Sequence, residues 1–404
     1  VGPLESSELA LTCTGGAPGS SACGPYAAAA DDGNGGGKRP DRGAQWRGES
    51  GARIKPSEEE QKTLRDAVYA ALDLGTNNCR LLVARPAPAD EGSAGFRVID
   101  SFSRIVRLGE GLSRTGRLSA AAIDRTISAL KICRHKIETR GVTRARLIAT
   151  EACRSAENGA EFLQRARDAT GLELEIVDRE TEAHLAAAGS ACLADSAAAS
   201  VVLFDIGGGS SEIVWLGRSS RKPSGATHHL DGALRERVRF WVSLKLGVVT
   251  LAEKFGGLEV SDAIFEAMVE HVSEALMEFV AKVGAEHRCR NFHLLGTSGT
   301  VTTIAGVYLG LARYDRRRVD GLWMSSEEVN GAVASLRKMS YAERAMNGCI
   351  GAGRADLVLA GCAILEAIRR AFPADRVRIA DRGLREGILM QMINADRAFL
   401  RASR

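Results

Sequence analysis

Aromatic residues are scarce, 5% of 404, and no apolar run approaches the length of a membrane span. The first shortage disfavours a base-stacking surface for single-stranded nucleic acid. The second excludes a membrane-spanning helix, which needs roughly 18 or more such residues. The nine cysteines are scattered (Cys13, Cys23, Cys79, Cys133, Cys153, Cys192, Cys289, Cys349, Cys362), and no two form a C-x-x-C pair. That spacing excludes the common zinc frameworks and fits reduced thiols. No basic and apolar leader of the secretory kind is visible, so a cytoplasmic location is expected. Charge of one sign is lacking too: the net charge is +4. Bulk binding to nucleic acid is therefore not expected, nor is a membrane partner. What is present is ordinary for a soluble fold, 45% hydrophobic and 26% charged residues. The length suffices for two or three domains and for a core that needs no disulfide staples.

The first 60 residues hold 12 of the 44 glycines and five of the nine prolines. No helical or strand period survives there, so residues 1–62 are expected to be a disordered tail. Beyond it the pattern becomes regular. Strands are predicted over 68–74, 80–85 and 96–107, and a helix over 119–140 with Ser119 as its cap. A strand over 145–149, a helix over 158–170, a strand over 174–177 and a helix over 180–194 follow. A strand over 201–204 then restarts the cycle. Asp73-Leu74-Gly75 and Asp205-Ile206-Gly207 each end an apolar strand, and Leu81-Leu82-Val83 and Ile213-Val214-Trp215 follow at equal spacing. The chain thus reads as a duplicated strand–turn–strand unit. It is α/β, with one domain over 63–195, a second over 196–383, and a terminal helix over 384–404 expected to pack back on the first.

The turns have the chemistry of phosphate cradles. Glycine at a strand end lets backbone N–H groups converge on an anion without a Cβ in the way. Gly207, Gly208, Gly209 and Ser210 supply one such loop; Gly75, Thr76, Asn77 and Asn78 supply its counterpart. Gly296, Thr297, Ser298, Gly299 and Thr300 lead from a strand into a helix whose first amides could face an anion. The segment 381–387 is a fourth candidate. Each alone reads equally well as a plain turn; four together point to phosphate. Asp73 and Asp205 would repel that phosphate unless a cation lay between them, and Mg²⁺ suits the need.

These motifs, with Ala149-Thr150-Glu151-Ala152-Cys153-Arg154, Glu180-Thr181-Glu182-Ala183, 243–249 and 354–361, resemble the exopolyphosphatase / guanosine pentaphosphate phosphohydrolase family of the actin-like ATPase superfamily. The resemblance runs from about Ala67 to Gln391. It implies two actin-like (ribonuclease H-like) domains around a central cleft. It also implies Mg²⁺-assisted hydrolysis of a terminal phosphoanhydride. Glu182 falls on the family's catalytic base and Asp205 on its second essential acid. Arg154 falls on an arginine that contacts the phosphate chain, and Asp73, Asn77 and Arg80 fall in the first phosphate loop. Asp73 and Asp205 are the expected metal ligands. On residue chemistry alone, Glu182 reads equally as a helix-entry charge and Arg154 as a surface ion pair. Two departures stand out: Ser298 where the family often has Gly, and His184 where it often has Arg.

The leading expectation is an exopolyphosphatase acting on inorganic polyphosphate, with guanosine pentaphosphate (pppGpp) hydrolysis the alternative. A sugar or acid kinase and a non-catalytic polyphosphate-binding or alarmone-binding regulator remain in view. A homodimer is allowed. The basic stretch 217–241, with Arg235, Arg237 and Arg239, is either an added helix that meets polyanion or a solvated insertion. The chain has no room for the extra helical half of longer family members, so strong processivity is not expected.

Overall fold

Two apolar runs, each ending in Asp-x-Gly, become the central strands of two sheets. The computed structural model describes residues 66–87, 95–218, 230–287 and 291–402. The expected tail 1–62 and residues 219–229 of the basic stretch lie outside them. The first sheet comprises β1 (Tyr69–Leu74), β2 (Asn78–Pro86), β3 (Phe96–Ile105), β4 (Arg144–Ala149) and β5 (Glu175–Ile176), in the order β3-β2-β1-β4-β5. The second comprises β6 (Ser200–Ile206), β7 (Ser211–Gly217), β8 (Val238–Leu244), β9 (Phe292–Thr297), β10 (Trp323–Ser325) and β11 (Arg376–Ala380), in the order β10-β11-β9-β6-β7-β8.

The duplication read in the sequence is a duplication of topology. In both sheets an antiparallel hairpin (β1–β2, β6–β7) carries a third antiparallel strand on its outer side. A parallel strand (β4, β9) lies on the other side of the central strand. The register matches as well: Asp73 sits opposite Arg80, and Asp205 sits opposite Glu212.

The predicted helix over 119–140 spans Ala120–Thr139, and the Ser119 hydroxyl accepts from the Ala122 amide at 3.2 Å. Three details differ from the sequence reading. A five-residue helix, Glu151–Ser155, is too short to leave a hydrophobic period. The helix Arg179–Ser190 stops before Ala191 and gives way to a 3₁₀ turn. Among the described residues the basic stretch is helical over Leu230–Arg237, and Arg239 stands on β8, held by pairing with β7.

Two helices lie between the sheets. The C-terminal helix Leu384–Ala402 buries Leu384, Ile388, Leu389, Met392 and Ile393 against Tyr69, Ala71 and Ile148 of the first sheet. Helix Arg179–Ser190 turns Ala183 and Ala187 toward Val201, Leu203, Val214 and Leu216 of the second. The two helices cross backbone to backbone. A Cβ on Gly189 would stand 2.0 Å from the Gly383 carbonyl oxygen, and one on Gly387 would stand 2.0 Å from that of Leu185. Gly387→Ala is therefore expected to cost about 1–3 kcal/mol through overpacking and to lower Tm by several degrees. Gly331→Ala is the control, because an added methyl there meets nothing within 4 Å. It lies on a helix, where alanine is favoured by about 0.5–1 kcal/mol. Thermal melts that rank the two variants the other way would refute this account of the crossing.

Candidate active site

The two glycine-rich turns close alike and meet face to face. The Gly75 amide donates to the Asn78 carbonyl at 2.9 Å, and the Gly207 amide donates to the Ser210 carbonyl at the same distance. None of Gly75, Gly207, Gly208 and Gly209 has a left-handed backbone, so conformational freedom is not what these positions need. A Cβ on Gly208 would lie 3.0 Å from the Thr76 Cβ, and one on Gly209 would lie 2.6 Å from the Thr76 hydroxyl oxygen. One on Gly247 would lie 2.4 Å from the Gly208 carbonyl. Glycine is required because two loops and a helix start converge on one spot.

A cavity of about 120 Å³ lies at this junction. Its lining holds most of the sequence-predicted residues: Asp73, Gly75, Thr76, Asn77, Asn78, Arg80, Glu182, Asp205, Gly207, Gly208, Gly209, Ser210, Ser298, Gly299 and Thr300. Three expected phosphate contacts are not there. A Cβ on Gly296 would strike the Phe204 ring at 2.6 Å, so that glycine serves core packing. The Thr297 hydroxyl is donated to the Arg382 carbonyl. Arg154 is the third. Its Nε and one terminal nitrogen donate to Glu151 at 3.0 and 2.6 Å. That nitrogen also donates to Glu182 at 2.9 Å, and the other donates to the Val177 carbonyl at 2.5 Å. Every guanidinium nitrogen of Arg154 is thus engaged within the protein, and one of them holds Glu182. The segment 381–387 differs from its reading too, since the Gly383 amide donates to the Glu386 carboxylate at 3.0 Å.

Four functional-looking residues received no role in the sequence reading, although Glu151, Arg354 and Arg385 lie in motifs it singled out. Glu212 lines the cavity, buried, with hydrogen bonds from Ser243 and Ser210. The repeat could have revealed it, because it occupies in the second hairpin the place of Arg80 in the first. Arg354 lines the cavity from a loop before a helix, at the first position of the motif 354–361. Glu151 anchors both Arg154 and Arg179. Arg385, half-buried, acts electrostatically on both Asp73 and Asp205.

The site is polarised. At one end, burial raises the carboxyls of Glu182, Asp205 and Glu212, and their mutual repulsion adds to it. Burial moves Glu182 to about 7 even though Arg154 pulls it back. Burial and then the Asp73 charge move Asp205 to about 6 against Arg80 and Arg385. Asp73 is raised by burial as well. Burial also pushes Glu151 upward, but hydrogen bonds from Ser155, Arg154 and Arg179 outweigh it and hold this carboxyl below its usual range. At the other end two cations converge. The place of a Gly299 Cβ is 3.5 Å from an Arg354 guanidinium nitrogen and 3.6 Å from one of Arg80. Gly299 begins a ten-residue helix whose free amides add positive potential. Burial and the nearby Arg80 charge lower the Arg354 pKa. Two guanidiniums held together at a helix start form a site for an anion.

These shifts have a consequence for stability. A buried carboxyl whose pKa rises from 4.5 to about 7 stabilises the fold fully below pH 4.5, and that contribution is lost as pH climbs through 7. Asp205, moving from 3.8 to about 6, behaves alike over a lower window. Glu182→Gln removes one of these groups, so its Tm minus that of the wild type should increase between pH 5 and pH 8 without substrate. A difference independent of pH would mean that Glu182 titrates at its ordinary value.

Comparison with known proteins follows the same lines. A sequence profile described as the Ppx/GppA phosphatase family matches residues 87–396. The chain is 28% identical over 328 residues to a protein of Aeromonas hydrophila named guanosine-5′-triphosphate,3′-diphosphate pyrophosphatase, covering 81% of this chain and 59% of that protein. It is 26% identical over 332 residues to a protein of Mycobacterium tuberculosis named exopolyphosphatase 2, covering 80% of this chain and 98% of that one. The chain spans about half the length of some curated relatives it matches, 46% and 59%. Among solved structures, the Aquifex aeolicus member of the Ppx/GppA family superposes with a TM-score of 0.63 at 28% identity, covering 82% of this chain and 98% of that one.

Proposed function

The chain belongs to the Ppx/GppA phosphatase family, and from that premise we propose that it hydrolyses the terminal phosphoanhydride of inorganic polyphosphate and releases orthophosphate. The observation that carries this reading is the polarity of the cleft. A base that titrates near neutrality stands at one end, two guanidiniums stand at the other, and a pair of glycine hairpins lies between them. The terminal phosphate sits between the hairpins, where backbone amides and Thr76, Asn78 and Ser210 meet it. The rest of the chain extends toward Arg80 and Arg354, because the carboxylates at the opposite end repel it. Glu182 takes a proton from the attacking water, a water–phosphorus bond forms, and the bond to the next phosphate's bridging oxygen breaks. Arg154 keeps the Glu182 carboxylate aimed.

Mg²⁺ belongs to this proposal. Asp73 and Asp205 are hard oxygen donors that repel each other, and the side-chain oxygens of Asn77 and Asn78 are buried without a hydrogen-bond partner. Among the described residues no three metal-ligating side chains suffice alone, so substrate and water oxygens would complete the shell. When bound, the ion supplies charge neutralisation between acids and phosphate.

The described part of the basic stretch stands apart from this path: Arg237 donates to the Gly217 carbonyl at 3.2 Å, at the far end of β7 from Ser211. Among the described residues no helix is long and apolar enough to cross a membrane, and none of the six free cysteines forms a disulfide. A reducing cytoplasm is the compartment we propose on that chemistry.

The test is phosphate release measured side by side from long polyphosphate, tripolyphosphate, pppGpp and ATP. No release from the first three would overturn the hydrolytic reading.

A further inference from the structure

Among the described residues, two that are not glycine have a left-handed backbone: Ser298 at φ 104° and Arg107 at φ 47°. Ser298 caps the helix Gly299–Tyr308 and lines the cleft. Arg107 does not line it, but borders a second cavity of about 320 Å³ that has Asn77 and Leu357 as a wall in common with the cleft. A side chain disfavours this conformation, which persists only where the surroundings fix it. Here they do: Val106 and Leu108, on either side of Arg107, are buried in the core of the first sheet.

The left-handed turn brings two consecutive amides onto one acceptor. Val106 and Arg107 both donate to the Asn77 carbonyl, at 2.9 and 3.0 Å, and the Gly109 amide donates to the Thr76 carbonyl at 2.9 Å. The backbone after β3 therefore holds the first phosphate loop. The Arg107 side chain reaches a turn built on the second sheet. One of its terminal nitrogens donates to the Gly353 carbonyl at 3.2 Å and to the Asp356 carboxylate at 2.9 Å. Those two acceptors flank Arg354, the guanidinium at the cationic end of the cleft. Residues 352–357 form neither strand nor helix, and Ala355 anchors them in the second sheet's core. A Cβ on Gly353 would stand 2.5 Å from Ile105 Cδ1, so the two turns also touch directly beside the bridge.

A phosphate chain lying in the cleft must meet groups carried by different sheets, the loop 75–78 on one and Arg354 on the other. Neither sheet alone fixes the distance between them, and binding depends steeply on such spacing. Arg107 is bonded to both, by its amide to the loop and by its guanidinium to the turn that carries Arg354. We propose that Arg107 is a positioning residue that sets the distance between Arg354 and the first phosphate loop, and with it the affinity for a chain of phosphates. It touches neither the substrate nor the reacting atoms. The inference rests on the reading of the cleft as a site for a phosphate chain, and it assigns the spacing of that site to a residue outside it.

Arg107→Gly removes the bridge and keeps the turn, because glycine accepts a left-handed backbone without cost from a Cβ. On tripolyphosphate this variant should raise KM about tenfold or more, with kcat within about threefold of wild type, since Arg354 holds ground state and transition state alike. Arg107→Lys should bring KM back to within about threefold, because an ammonium has three donors and can make both bonds. Asp356→Ala cuts the same bridge from the other side and should raise KM in the same way; it decides the matter if Arg107→Gly does not fold. In an Arg354→Ala background, Arg107→Gly should add less than about twofold, since the group it positions is gone. A KM near wild type in both Arg107→Gly and Asp356→Ala would overturn the assignment. So would a full further loss in the Arg354→Ala background, which would place the effect of Arg107 elsewhere. Tripolyphosphate titrated onto the full chain by calorimetry gives a readout independent of turnover, and binding about tenfold weaker in Arg107→Gly is expected. A wild type that binds this probe but releases no phosphate would end the hydrolytic reading and leave the titration to decide Arg107. No binding by the wild type would end both.

Discussion

Glu182→Gln is expected to lower phosphate release by roughly 10²–10⁴-fold, the usual worth of a positioned general base, while substrate binding survives. The substitution is isosteric, and the amide oxygen can still accept from Arg154. The cations that hold the chain, Arg80 and Arg354, gather at the start of the helix Gly299–Tyr308. Affinity for polyphosphate, measured by titration on the inactive protein, should therefore match the wild type within a few-fold. The pH profile adds a second readout. Only the ionised carboxylate accepts a proton, and burial places Glu182 near 7. The wild-type rate should consequently rise with pH through about that value, and the residual rate of the Gln variant should not. An Arg154→Lys variant should shift this limb, because Lys cannot supply the fork that binds Glu151 and Glu182 together. Turnover near wild type in Glu182→Gln would end the assignment of the base.

Chelation is expected to have a comparable effect. Removing divalent metal with EDTA should reduce phosphate release on the order of 10²-fold or more, and Mg²⁺ should restore it, since a Lewis acid beside phosphate is worth several kcal/mol. The physical ground is repulsion. Asp73 and Asp205 are both half-buried, and loss of hydration raises each. A polyanion brought beside them adds further negative charge. Arg80 and Arg385 offset part of this, yet the Asp205 pKa remains at about 6. A cation between acids and phosphate removes the conflict. Mg²⁺ should also raise the Tm of the substrate-free protein at neutral pH, and Asp205→Asn should abolish that rise. Full activity in metal-free buffer would mean that the arginines alone neutralise the substrate.

Much of the architecture follows from local sequence. The apolar strands, the Asp-x-Gly turns at equal spacing and the Ser119 cap depend on residues a few positions apart, so a linear reading reaches them. Both hairpins and the matched strand orders rest on those signals. Glu212 was within reach by the same route, through its register with Asp205. What the sequence could not state is which distant residues meet. The sequence reads Arg154 only for a phosphate; its bonds to Glu151, Glu182 and the Val177 carbonyl belong to the fold. Arg80 and Arg354, from opposite ends of the folded chain, form one cationic site only because two sheets close over the start of one helix. In the sequence the glycines of 207–209 read as a loop that opens its amides to an anion. In the fold they are contact points, where the opposing Thr76 leaves no space for a Cβ. Local chemistry determines the strands and turns. The polarity of the cleft, and with it the direction in which a substrate can lie, is set by charges that only the packing of two sheets brings within reach of one another.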